Sequence, residues 1–199
     1  MKSDTKLLTK VYMFLLTKIA LPWRTLYALY SGILGKSLLI ISLSTPVALI
    51  YNTMSLIPPS YPVILFGALL SLIGYIFTEI SVPALVRDFK NSHHYSTEIL
   101  KNSVNIEWVS EFKILESDIE NLSKVHDGYC IVPLDFKSIE NTKTLLGEDK
   151  AIRSLCLIKY NYCNIRDPIK RLVSTLTLTV SLLVIFSSTI ANVFKIIIG

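Results

Sequence analysis

Glycine is scarce in this 199-residue chain. There are seven, none in a G-x-G pattern, so the glycine-rich loops that cradle phosphates have nothing to be built from. Histidine numbers three, and two of them, His93 and His94, are adjacent rather than at the helical spacing of metal ligands. Cys130, Cys156 and Cys163 are odd in number and share no repeated spacing, which excludes a disulfide framework and fits a reducing compartment. The six residues between Cys156 and Cys163 are too many for a zinc knuckle. No serine or cysteine has a base near it in sequence, so the chain does not read as an enzyme, and no metal or cofactor is expected. The largest absence is of charge. Ser37 to Thr78, 42 residues, contain no Asp, Glu, Lys, Arg or His.

One bilayer crossing takes about 20 apolar residues, so that run suffices for two. Pro58-Pro59-Ser60-Tyr61-Pro62 interrupts it, because proline lacks the amide N–H and clashes with the preceding turn. The run predicts a hairpin of helices at about 37–57 and 62–85, the first kinked at Pro46. A further uncharged run, Leu172–Phe194, is opened by Lys170-Arg171. With 51% hydrophobic residues, a mean hydropathy of +0.51 and a net charge of +5, the composition suits a small integral membrane protein. The expected fold is an α-helical integral membrane protein with three transmembrane helices and a small α/β cytoplasmic domain. Its expected parts are an N-terminal amphipathic helix at 1–36, a transmembrane hairpin at 37–86, the cytoplasmic domain at 87–171 and a C-terminal transmembrane helix at 172–199.

The first 36 residues are amphipathic. Leu8, Val11, Tyr12, Leu15, Leu16 and Ile19 share one side of a helix, and Lys2, Lys6, Lys10, Thr17 and Lys18 share the other. Lys10 and Lys18 also interrupt any signal-peptide core. Trp23, Arg24, Tyr27 and Tyr30 are the residue types of a membrane interface. Placing Lys18 and Arg24 at mid-bilayer would cost several kcal/mol, which favours an interfacial helix; a fourth span, with its cations turned into a bundle, is the alternative. Lys2 to Lys36 precede the hairpin, and Arg87 and Lys90 follow it, while the loop between is uncharged. The positive-inside rule therefore predicts 1–36 and 87–171 in the cytoplasm.

Residues 87–171 carry thirteen Lys/Arg and thirteen Asp/Glu, a balance that argues against direct nucleic-acid binding. Trp108, Phe112, Leu115, Ile119 and Leu122 step by four and three and predict an amphipathic helix over about 107–125. A turn at His126-Asp127-Gly128, a strand at Tyr129–Val132, a helix from Asp135 to about Leu146 and a second strand at Leu155–Tyr160 would complete an α/β unit.

Two stripes and one charge are the candidate functional residues. Gly67, Ser71, Gly74, Thr78 and Ser81 form a seam of small residues in the second span, suited to close helix packing within the hairpin or between subunits. Ser174, Thr177, Ser181 and Ser188 form a hydroxyl stripe in the last span, which could bond neighbouring backbone or line a pore formed by several copies. Glu79 is an acid inside a span, and such a residue is a candidate for sensing or gating.

In length and layout the chain resembles the KwaA family, the small membrane subunits of the Kiwa anti-phage defence system. The likeness covers the amphipathic start Met1–Lys36, the span pair around Pro58-Pro59, the intervening cytosolic segment and the final span. It implies a bacterial inner-membrane homo-oligomer, a tetramer of four-span subunits, that senses envelope disturbance and signals to a cytosolic DNA-binding partner, KwaB. It carries over no individual functional residue. Three functions are therefore expected, in this order: a membrane sensor and scaffold recruiting a soluble effector, a pore-forming effector, and an immunity or transporter-accessory protein.

Overall fold

A computed structural model describes residues 2–43, 61–101, 108–125 and 148–198, and nearly all of these are helical. Helix α1 spans Lys2–Phe14 and runs into a single wider π turn, Leu15–Ile19, closed by the Ala20 amide donating to the Leu15 carbonyl at 2.9 Å. Pro22 ends this segment, and α2 begins at Trp23 and runs to Ser31. Helix α3, Ile33–Leu43, follows after Gly32. Gly35 permits this bend, since a Cβ there would collide with the Tyr30 carbonyl. Next come α4 (Tyr61–Ser81), α5 (Ala84–Asp88), α6 (Ser92–Lys101), α7 (Trp108–Val125), α8 (Glu148–Ile165) and α9 (Pro168–Ile198). Pro83 stops α4 four residues before the boundary expected from apolarity alone. Asp167 joins α8 to α9 with a φ of 56°, a left-handed conformation that Asp tolerates better than most residues, and Pro168 fits the first turn of the new helix.

The chain forms two units. Unit 1 comprises Met1–Arg24 and Val82–Pro168; unit 2 comprises Thr25–Ser81 and Ile169–Gly199. Unit 1 is organised around α8, which contacts α5, α6 and α7. Tyr95 on α6 packs with Ile152, Cys156 and Tyr160 on α8, and Leu85, Phe89, Ile99 and Leu100 close over them. Leu115 and Ile119 of α7 pack on Leu155, with Ile158 and Tyr162 alongside. Each such large side chain contributes about 1.5–3 kcal/mol on burial.

The α/β expectation is overturned here: no strand occurs among the described residues, and Leu155–Tyr160 lies within helix α8. A short apolar run has no readable period by itself. Over the longer window Ala151, Ile152, Leu155, Cys156, Tyr160 and Cys163 are buried while Lys150, Arg153 and Asn161 are exposed, which is helical spacing. The expected strand at Tyr129–Val132 and helix at Asp135–Leu146 lie outside the described residues. The amphipathic period over 107–125 does correspond to a helix, α7.

Unit 2 contains the apolar helices. Among the described residues two segments, Val63–Ser81 and Pro168–Ser188, are long and apolar enough to cross a membrane, rather than the three expected. Helix α3, Ile33–Leu43, covers only the start of the first expected span, 37–57, whose remainder lies outside the described residues. Helix α4, with 21 residues, reaches about 31 Å against a hydrocarbon thickness of roughly 30 Å. The 31 residues of α9 exceed that need. No more than a third of either candidate span is buried, unlike a helix at the core of a soluble domain. Their exposed positions are large and apolar, including Phe66, Ile73 and Ile80 on α4 and Leu183, Phe186 and Ile190 on α9. Helix α1 also leaves its apolar side open: Leu8, Val11 and Phe14 are exposed, while Leu16 in the π turn is fully buried.

Candidate functional site

Unit 2 brings the two sequence-predicted stripes face to face. A Cβ at Gly67 would meet the Ile185 side chain at 2.7 Å and the Ser181 carbonyl at 3.1 Å; one at Gly74 would meet the Thr177 methyl at 2.8 Å and the Tyr30 hydroxyl. The Thr78 hydroxyl donates to Ser174 Oγ at 3.0 Å. Positions rising along α4 meet positions falling along α9, so the helices are antiparallel partners in one chain. Ser71, Thr78, Ser174 and Ser181 are all buried. Small residues let the backbones approach, and the hydroxyls between them are satisfied locally: Ser181 Oγ donates to the Leu178 carbonyl and Thr177 Oγ1 to the Val173 carbonyl, both at 2.9 Å. Ser188 is buried further along the same stripe, and Ser81 is half-buried at the end of α4.

Tyr30 was not singled out as a site residue by its spacing, yet it completes this cluster. Its ring is buried, its hydroxyl donates to the Ser174 carbonyl at 3.3 Å, and Thr78 is a second side-chain hydrogen-bond partner. The ring tilts against Tyr75 at 6.3 Å between centroids. Gly74 supplies the notch for the phenol. Glu79 follows Thr78 directly and is half-buried. Arg87, eight residues further on, faces Asp88 at 3.4 Å.

Unit 1 contains a second constellation. Trp23 is fully buried and its indole N–H donates to the Arg166 carbonyl at 3.0 Å. The Arg24 amide donates to Asn164 Oδ1 at 2.7 Å, so Asn164 satisfies one of the free amides that open α2. Arg24 Nη1 donates to the Val86 carbonyl at 3.4 Å, and the Tyr160 hydroxyl donates to the Phe89 carbonyl at 3.2 Å. Burial raises the Tyr160 phenol above its ordinary 10.0, with the Arg24 charge pulling the other way. Burial likewise pushes the Cys163 thiol up, opposed by Arg166 and Lys159, and carries the Cys156 thiol to about 11. Neither cysteine is therefore an activated nucleophile. These bonds tie the start of α2 to the end of α8 and, through Val86, to α5, a junction within unit 1. The belt-residue pattern located Trp23 and Arg24; their partners, 62 to 143 residues away, left no local signal.

Among the described residues no group of three or more His, Cys, Asp or Glu could hold a metal ion. Compared with protein-family models, curated proteins and solved structures, the chain matches none.

Proposed function

We propose that this chain is an integral membrane protein that acts as a sensor and scaffold, with α4 and α9 in the bilayer and unit 1 recruiting or controlling a cytosolic effector. The observation that carries this reading is the pair α4 and α9, both long and apolar enough to cross a membrane and both keeping large apolar side chains exposed. The exposed apolar faces of α4 and α9 suit lipid contact, and the Thr78–Ser174 hydrogen bond joins the two helices. Glu79, bordering the seam, is the proposed sensing residue, because a change in helix packing alters its solvation.

The resemblance in layout extends the proposal to a bacterial inner-membrane homo-oligomer, a tetramer, in an anti-phage complex that detects envelope disturbance, with KwaB as the effector. The pore reading ranks second: Ser174 and Ser181 are buried within a single chain, which favours packing over a water-filled lining.

The test is the composition of the detergent-solubilised complex expressed with its genomic neighbours. A homo-oligomer carrying a stoichiometric soluble protein is expected. An oligomer with no soluble partner that conducts ions in liposomes would replace this reading with the pore.

A further inference from the structure

The junction in unit 1 holds two arginines whose donors are under-used. Arg166 Nε is buried and makes no hydrogen bond; its closest anion is Asp167 Oδ2 at 3.6 Å, while the side chain as a whole keeps 41% exposure. The Arg24 guanidinium makes one hydrogen bond among the described residues, the 3.4 Å contact to the Val86 carbonyl. The Trp23–Arg166 and Arg24–Asn164 bonds bring the backbones of the two arginines side by side. Arg87 and Lys90, both exposed, add charge after α5, where Asp88 faces Arg87, while Asp167 and Asp118 are the carboxylates on the side of Arg166.

Depth follows from chain position. Arg166 is two residues before the first residue of one candidate span, Pro168, and Arg87 is six residues after the last residue of the other, Ser81. Two residues reach at most about 7 Å, and the headgroup layer is about 5–7 Å thick in each leaflet. Lys170 and Arg171 open the uncharged run at Leu172, so with α9 in the bilayer Arg166, six residues before that run, lies on its headgroup side, where a long side chain can reach phosphates. A guanidinium offers a planar fork of donors that matches phosphate oxygens two at a time.

We propose that Arg24 and Arg166 form a seat for the phosphate of an anionic phospholipid, so that the bilayer's own headgroup is a ligand of the junction. This rests on the membrane reading above and adds the lipid class and the residues that hold it. Bound there, an anionic headgroup would bridge the chain entering α2 and the chain entering α9, making the junction responsive to lipid composition.

The test is native mass spectrometry of the full-length protein in detergent, titrated with dioleoylphosphatidylglycerol, dioleoylphosphatidylcholine or inorganic phosphate. Phosphatidylglycerol is expected to bind about tenfold more tightly than phosphatidylcholine, and millimolar inorganic phosphate is expected to leave it in place. Arg166→Gln should weaken phosphatidylglycerol at least fivefold, Arg166→Lys by less, and Arg153→Gln, an exposed cation elsewhere on α8, should change nothing. Arg24→Gln should act as Arg166→Gln does; if it fails to fold, the two Arg166 variants still decide. Equal retention of the two lipids, an unchanged Arg166→Gln, or displacement by inorganic phosphate would each overturn the seat. Release of the chain from membranes by carbonate would instead defeat the membrane reading itself.

Discussion

Replacing Gly74 by alanine sets two effects of known size against each other. Glycine in a helix interior costs about 1 kcal/mol relative to alanine, so the substitution should stabilise α4 by that amount if the added methyl has room. The structure gives it none: the new carbon would lie inside contact distance of the Tyr30 hydroxyl and 2.8 Å from the Thr177 methyl. Overpacking of this kind costs about 1–3 kcal/mol, and displacing Tyr30 also loses its bond to the Ser174 carbonyl, worth about 0.5–1.5 kcal/mol. The sum is a net destabilisation of about 1–3 kcal/mol, opposite in sign to helix propensity alone. In a Tyr30→Phe background the closest obstacle is gone, and Gly74→Ala should become nearly neutral. Unfolding in bicelles by titration with a denaturing detergent would measure all four proteins of the cycle. A Gly74→Ala variant that is more stable than the parent, with no coupling to Tyr30→Phe, would refute the notch and the packing built around it.

Other outcomes follow from the same contacts. Thr78→Val and Ser174→Ala should each cost about 0.5–1 kcal/mol, with the double variant costing less than the sum because both break one 3.0 Å bond; the same bicelle assay applies. Trp23→Phe keeps most of the buried ring but removes the donor to Arg166, and should cost about 0.5–1.5 kcal/mol in thermal unfolding by losing that hydrogen bond. Asp167→Gly should be neutral or stabilising and Asp167→Val destabilising by about 1–2 kcal/mol, since only the first relieves the left-handed backbone; melting temperatures of the two variants would show it. Cys156 titrates near 11 in the folded chain against an ordinary thiol value of 9.0. Between those values the unfolded thiol has lost its proton and the folded one retains it, so this group leaves stability unchanged below about pH 8 and lowers it as pH rises from 9 to 11. Denaturant midpoints across that range should fall, and a Cys156→Ala variant should show a smaller fall.

The periodic parts of the molecule were legible because period is a local property. Leu115 and Ile119 face inward from a helix their spacing predicts, and the small residues of α4 lie on one buried face. What covers that face was not legible. Gly67 and Ser71 carry no mark that distinguishes a hairpin mate, a second subunit or a helix a hundred residues away, and the answer in the structure is α9. Leu155–Tyr160 misled for a different reason: six apolar-rich residues fit a strand or a buried helix equally, and only the flanking Ala151, Ile152 and Cys163 reveal the helical period. The junction escaped because its bonds run to backbone carbonyls and to one asparagine, groups present throughout the chain. Glu79 was legible as an exception to composition, and its half-buried place beside the seam is consistent with that notice without assigning its chemistry.

Helices α4 and α9 pair antiparallel within one chain, with the small-residue seam inward. Thr78→Cys combined with Ser174→Cys, in a chain whose Cys130, Cys156 and Cys163 are replaced by alanine, tests this pairing most directly, because the two native hydroxyl oxygens are 3.0 Å apart. Mild oxidation of isolated membranes should give a disulfide within the monomer, seen as a faster-migrating band that reverts on reduction, while Thr78→Cys paired with Phe186→Cys on the exposed side of α9 should give none. A covalent dimer formed by the first pair, with no change within the monomer, would contradict the pairing and make the seam an interface between subunits.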